Sequence, residues 1–229
     1  MGRDSELLNL AITIMGDIRR KDMVDAMKAQ LPMAEVVMDT DQSGPWPTAK
    51  RAWLKGEGAT HNLVVQEDIG LCKDFLAGVE SALRANPFEI ISFFSMSSAI
   101  KKAHKETKSW VTMKSLSWAQ AVVMPMDVVR EFLRWEDRNI DPQYKHDDAR
   151  ISLFALHSNK KVWYSSPCLV EHLGWDKGIS GNPSKVGGRA RVASLYCEES
   201  AASIDWGRGL DDPYDGGGHP LSAYKKWKK

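Results

Sequence analysis

Three short clusters of charged residues each follow an apolar run, and their types suit the chemistry of a nucleotide phosphate. Leu8–Met15 runs into Gly16-Asp17-Ile18-Arg19-Arg20, Ala34–Met38 into Asp39-Thr40-Asp41, and His61–Val65 into Gln66-Glu67-Asp68. A guanidinium pair at Arg19 and Arg20 suits a diphosphate. A carboxylate at Asp39 or Asp41 suits a ribose or a base edge. Carboxylates at Glu67 and Asp68 suit a hard divalent cation, Mn2+ or Mg2+, bridging that diphosphate. Each cluster alone also reads as a solvated turn. Their succession matters because ligands of an open α/β sheet bind beyond the carboxyl ends of its strands.

The elements that position these clusters follow from periodicity. The apolar, partly β-branched runs Leu8–Met15, Ala34–Met38 and His61–Val65 read as buried strands. Lys21–Gln30 places Met23, Val24 and Met27 at helical spacing, and Pro32 closes that helix. Gln42–Pro47 reads as a loop, Thr48–Lys55 and Asp74–Ala85 as helices, and Phe88–Phe94 as a further strand. Alternation of strand and helix implies one α/β domain with a mixed, mostly parallel central sheet.

The second half is less regular. Trp118–Met124 is strand-like, and Pro125 is expected to open a helix carrying Val128, Val129, Phe132 and Leu133 on one face through Trp135. Asp147–Leu156 reads as a helix whose first turn holds an acidic pair, where the helix dipole favours negative charge. Lys161–Tyr164 is a short strand. From Ser203 to Lys229 apolar periodicity is lost, which predicts a loosely packed tail docked by Trp206, Tyr214, Tyr224 and Trp227.

Composition narrows the class. The 229 residues are 43% hydrophobic, enough for one substantial core, and the formal charge is only +1 with 27% charged residues. Cys72, Cys168 and Cys197 lie far apart with no C-x-x-C pair. That disfavours a disulfide framework or zinc–cysteine site and suits reduced thiols in a cytoplasmic protein. Asp4 and Glu6 precede the first apolar run, unlike a signal peptide, and Glu6 fails the myristoylation pattern. No run approaches the ~20 apolar residues of a membrane span, so no membrane is expected.

The stretch His61-Asn62-Leu63-Val64-Val65-Gln66-Glu67-Asp68-Ile69 resembles the strand and metal motif of GT-A (Rossmann-like) glycosyltransferases. The likeness is greatest to short bacteriophage-type enzymes and to the N-acetylglucosaminyltransferase IV group. Trp118-Ala119-Gln120-Ala121 through Pro125 resembles their acceptor-side segment, and His146-Asp147-Asp148 their late acidic motif. Ser166-Pro167-Cys168-Leu169-Val170-Glu171-His172-Leu173-Gly174 resembles their P-S-L-x-x-H-x-G segment, with Ser180-Gly181 following. The resemblance covers roughly residues 8 to 196.

It implies a domain over about 1–200, with a nucleotide-sugar half near 8–95 and an acceptor half near 96–200, followed by a tail at 201–229. It further implies a nucleoside-diphosphate sugar as donor and an inverting transfer. Asp68 and His172 would hold Mn2+ or Mg2+, Glu67 would contact ribose or a metal-bound water, and Asp147 or Asp148 would be the base. Gln66 departs from the family pattern, which places an acid at that position. A phage relative would act in the host cytoplasm.

For the acceptor, Ile100–Lys114 holds five lysines, one histidine and a tryptophan against a single acid. Lys101, Lys102 and Lys105 could grip a phosphate backbone, Trp110 and Trp46 (beside Asp39 and Asp41) are candidate stacking platforms, and Trp118 belongs to the acceptor-side segment that the resemblance gives. Lys225-Lys226-Trp227-Lys228-Lys229 repeats that composition. Phage-type relatives include enzymes that glycosylate hydroxymethylated pyrimidines in DNA, so modified DNA is the expected acceptor; a protein or glycan is the alternative. A non-catalytic nucleotide- or DNA-binding module and a metal-dependent nucleotidyltransferase are the rival readings. No G-x-G-x-x-G follows the first strand and no P-loop is present.

Overall fold

Strand β1 (Leu10–Asp17) sits between two parallel partners, as expected of a strand apolar on both faces. A 3-10 turn at Ile18–Arg20 leads into α1 (Lys21–Gln30), then β2 (Glu35–Asp39), α2 (Pro45–Leu54) and β3 (His61–Gln66). The chain continues through β4 (Ile69–Leu71), α3 (Phe75–Ala85), β5 (Ile90–Ser92), α4 (Ser98–Lys105), β6 (Trp110–Met113) and β7 (Ala121–Pro125). Next come α5 (Met126–Asn139), α6 (Asp147–His157), β8 (Val162–Ser165) and β9 (Val170–His172). Two-residue strands follow: β10 (Lys185–Val186), β11 (Arg189–Ala190) and β12 (Tyr214–Asp215). This is a computed structural model that describes residues 8–173, 185–186 and 189–218.

Among the described residues, eight strands form one sheet in the order β12-β6-β8-β5-β7-β3-β1-β2. The ladders β1–β2, β1–β3, β5–β8 and β6–β12 are parallel, and the three involving β3–β7, β5–β7 and β6–β8 are antiparallel. This is the mixed, mostly parallel, Rossmann-like α/β sheet that the alternation of elements predicts. β7 lies between β3 and β5, so the two halves of the chain share one sheet. β2 and β3 flank β1 on either side, which opens a crevice at the carboxyl end of β1.

Alternation along β3 explains the layering. Leu63 and Val65 join a core with Val24 and Met27 of α1 and Phe75, Val79 and Leu83 of α3. Val64 faces the other way, onto Trp46 and Trp53 of α2, Phe132 of α5 and Phe154 of α6. Each such aliphatic side chain contributes roughly 1.5–3 kcal/mol on burial. Gly16 permits α1 to close on β1, since a Cβ there would fall 2.3 Å from Val24 Cγ2.

The boundaries correct several expectations. α2 begins inside the expected loop, at Pro45, because a proline at the first helical position is already set for helix geometry. Pro125 ends β7 and precedes α5. The basic strip is a helix, α4, and a buried strand, β6. The tail as far as residue 218 is packed: Ala201 and Trp206 are buried, and β12 adds to the sheet beside β6. Tyr224, Trp227 and the terminal lysines lie outside the described residues, as do Gly174, Ser180 and Gly181. Among the described residues no helix is long and apolar enough to cross a membrane.

Candidate functional site

A cleft of ≈ 570 Å³ opens at the carboxyl ends of β1, β2 and β3. Residues 118–120 and the start of α6 complete its wall, so both acidic pairs, Glu67-Asp68 and Asp147-Asp148, line the same space.

The first pair sits in the tight connection from β3 to β4. β4 pairs antiparallel with β9 in a register that sets Ile69 opposite His172. This brings His172 Nε2 to 3.2 Å from Asp68 Oδ2. His172 Nδ1 donates to the Arg191 carbonyl at 2.9 Å, which fixes the ring and leaves Nε2 for the carboxylate. That approach of a ring nitrogen to a carboxylate oxygen needs a proton or a cation between them.

Arg20 from the turn after β1 also binds Asp68 Oδ2 and reaches Glu67 Oε1 at 3.3 Å. Burial opposes ionisation of Asp68, but His172 and then Arg20 outweigh it and hold the carboxyl below its usual range. Glu67 is instead pushed up to about 7, by burial first and then by the charge of Asp68.

Asp68 Oδ1 is buried with no hydrogen-bond partner among the described residues. An orphaned carboxylate oxygen beside an oriented imidazole fits a hard cation. Among the described residues no group of three or more His, Cys, Asp or Glu converges on one point. Asp68 and His172 are the two side chains that could hold such an ion, whose remaining ligands would have to be phosphate oxygens and water.

The second pair occupies the first turn of α6, and its two members differ. Asp148 is committed to the backbone: Oδ1 accepts from Ala149 N at 2.8 Å and Oδ2 from Trp118 N at 3.3 Å. Burial raises its carboxyl, and those N–H donors offset part of the rise. Asp147 is pushed up to about 7, by burial and then by repulsion from Asp148. A buried carboxyl poised there suits proton transfer near neutrality.

Arg150, one turn into the same helix, fixes the segment that delivers Asp147. It is fully buried, ion-paired with Glu136, and donates to the carbonyls of Asp141 and Tyr144. Its guanidinium lies 4.7 Å from the Trp46 ring. Trp46 N in turn donates to the Lys145 carbonyl at 3.1 Å, tying the start of α2 to the same segment.

Other expected residues fall differently. Arg19 lines the cleft but is forked onto Asp17, at 2.9 and 2.6 Å, and that hydrogen bond lowers the Asp17 carboxyl. Asp39 lines the cleft yet its carboxylate is spent on Ser43 and Gly44, accepting from both backbone N–H groups at 2.9 and 3.1 Å. Asp41 is exposed on that loop, outside the lining. Trp118 lines the cleft with a left-handed backbone, φ 69°. Trp110 and Trp46 are buried, which removes both as stacking platforms. Trp110 packs on Trp163 and Trp206 and donates from Nε1 to the Trp206 carbonyl at 2.8 Å. Lys101, Lys102 and Lys105 are exposed on α4, away from the cleft lining.

The structure adds Thr48, Gln120, Lys145 and Arg191 to the lining. Among the described residues Gln120 Oε1 and Arg191 Nε are buried without partners, like Asp68 Oδ1. Gln120 belongs to the stretch Trp118-Ala119-Gln120-Ala121 that carries the acceptor-side resemblance. Arg191 follows a stretch with no periodicity, and no local signal marks it.

No family model matches the chain, and no curated protein matches it. Among solved structures, the crystal structure of A197 from STIV aligns over 84% of this chain and 96% of that chain, at 9% identity and a TM-score of 0.47. The chemistry of the cleft is therefore read from its own residues.

Proposed function

We propose that this chain is a GT-A type glycosyltransferase that moves a sugar from a nucleoside-diphosphate sugar to an acceptor hydroxyl. The observation that supports it is one cleft holding an orphaned Asp68 oxygen beside His172 and, in the same lining, an Asp147 carboxyl raised to about 7. A divalent cation, Mn2+ or Mg2+, held by Asp68 and His172 would supply positive charge to the leaving diphosphate.

The chain's own residues do the rest. Asp147 takes the proton of the acceptor hydroxyl as its oxygen bonds to the anomeric carbon. The bond from that carbon to the phosphate oxygen breaks, and its electron pair leaves with the nucleoside diphosphate. Asp148 holds Trp118 and the first turn of α6 so that Asp147 stays aimed into the cleft. Arg20 keeps Glu67 and Asp68 together despite their mutual repulsion.

For the acceptor, the exposed lysines of α4 favour a polyanion, and a hydroxymethylated pyrimidine in DNA is the acceptor class proposed. The test is product analysis with a panel of sugar nucleotides, Mn2+ and hydroxymethylated DNA. Release of nucleoside diphosphate that stops in Asp147→Asn supports the reading. Release of pyrophosphate would point to a nucleotidyltransferase, and no turnover with any donor to a binding module.

A further inference from the structure

Arg191 presents a buried positive charge to the cleft. The residue is only 5% exposed, and its Nε has no partner among the described residues. Among the described residues its guanidinium forms no direct ion pair, Asp68 acting on it only through space, whereas Arg19 is spent on Asp17 and Arg20 on Glu67 and Asp68. Burying a guanidinium with an unmet N–H is costly, so a fold that keeps one has a use for it.

The surroundings fix where that charge sits. The guanidinium carbon lies 5.2 Å from the centroid of the Trp118 ring, which gives the planar group a platform. The Arg191 carbonyl receives His172 Nδ1, so the backbone of Arg191 is hooked to the Asp68–His172 pair. Trp118 is held in turn by its N–H to Asp148. Arg191 thus bridges the two acidic pairs, attached to one through its backbone and to the other through the ring beneath it.

We infer that Arg191, over the Trp118 ring, is an anion site that takes a phosphoryl group entering the cleft. A planar fork of N–H donors matches two phosphate oxygens at once, which the paired Arg19 and Arg20 cannot offer without giving up a carboxylate. Naming that group as the leaving diphosphate rests on the glycosyl-transfer reading; the anion site itself rests on the geometry of Arg191. The role assigned by sequence to Arg19 and Arg20 thereby passes to Arg191.

The test is calorimetric titration of inorganic pyrophosphate into metal-free protein. Wild type binds, Arg191→Ala binds at least about tenfold more weakly, and the exposed-surface control Lys21→Ala binds as wild type. Absence of binding to wild type, or equal binding by Arg191→Ala, overturns the site. Should Arg191→Ala fail to fold by circular dichroism, Arg191→Lys decides. It keeps the charge and loses the fork, so binding falls roughly three- to tenfold, and unchanged binding overturns the site. The two ideas fail separately. Arg191-dependent pyrophosphate binding without turnover of any sugar nucleotide sinks the transferase and keeps the anion site. Turnover with Arg191-independent binding does the reverse.

Discussion

Glu67-Asp68 and Asp147-Asp148 are both adjacent acidic pairs lining one cleft, and each contains one carboxyl raised to about 7, Glu67 and Asp147, yet what faces the other carboxyl differs. The first is met by Arg20 and His172, so Asp68 stays ionised and presents a spare oxygen. In the second, Asp148 accepts from the N–H groups of Ala149 and Trp118, while at Asp147 burial and repulsion from Asp148 outweigh the nearby backbone N–H groups and raise the carboxyl to about 7. Residue type alone does not separate a carboxylate held ionised from a carboxyl that keeps its proton. What lies across from each carboxylate does.

The comparison breaks most visibly at Asp147. Asp147→Asn should lower kcat by about 10²–10⁴, with metal-dependent binding of nucleoside diphosphate unchanged. In wild type the rate should climb as pH rises through about 7, because the base works only when ionised. Stability should run the other way. A carboxyl raised on folding contributes stability in full below its unfolded value, about 3.8, and loses it as pH climbs through about 7. Thermal melts at pH 8 should therefore place Asp147→Asn above wild type by at least ~2 °C.

A structural change behind the second pair should leave the first untouched. Arg150→Met leaves the buried Glu136 with only the half-buried Lys50, at 3.4 Å, and should cost about 3–5 kcal/mol, lowering Tm by roughly 6–20 °C. Below its melting range the variant should lose turnover while still binding nucleoside diphosphate, because the segment from Asp141 to Tyr144 delivers Asp147 and not Asp68. Equal loss of binding and turnover in calorimetry and product assays would show that the two pairs are not independent.

The smallest effect belongs to the acceptor side. Reversing Lys101, Lys102 and Lys105 together should flatten the salt dependence of DNA binding by about 2–3 in log–log slope and leave donor binding alone. An unchanged slope in fluorescence anisotropy across salt concentrations would remove α4 from that interface.

The sheet and its parallel trio were legible because strong apolar runs at Leu8–Met15 and His61–Val65 end in charged residues, and because Val24 and Met27 keep helical spacing. His172 was reached only through a resemblance. The contact that brings it to Asp68 is a three-residue ladder joining segments 104 residues apart, too short to leave a period. Arg191 lies beyond any such signal. Trp110 misled because it stands among lysines. β6 is four residues long and buried throughout, so alternation gave no warning that Trp110 belongs to the core. The strand β12 is two residues in a Gly- and Asp-rich stretch, and only its place beside β6 makes it part of the sheet.

The central claim is that the two acidic pairs divide the work, and calorimetry of nucleoside diphosphate binding with and without Mn2+ tests it most directly. Asp68→Asn should lose the metal-dependent part of the affinity, at least about 10–100-fold, and Asp147→Asn should retain it. Retained metal dependence in Asp68→Asn, or its loss in a folded Asp147→Asn, would contradict that division.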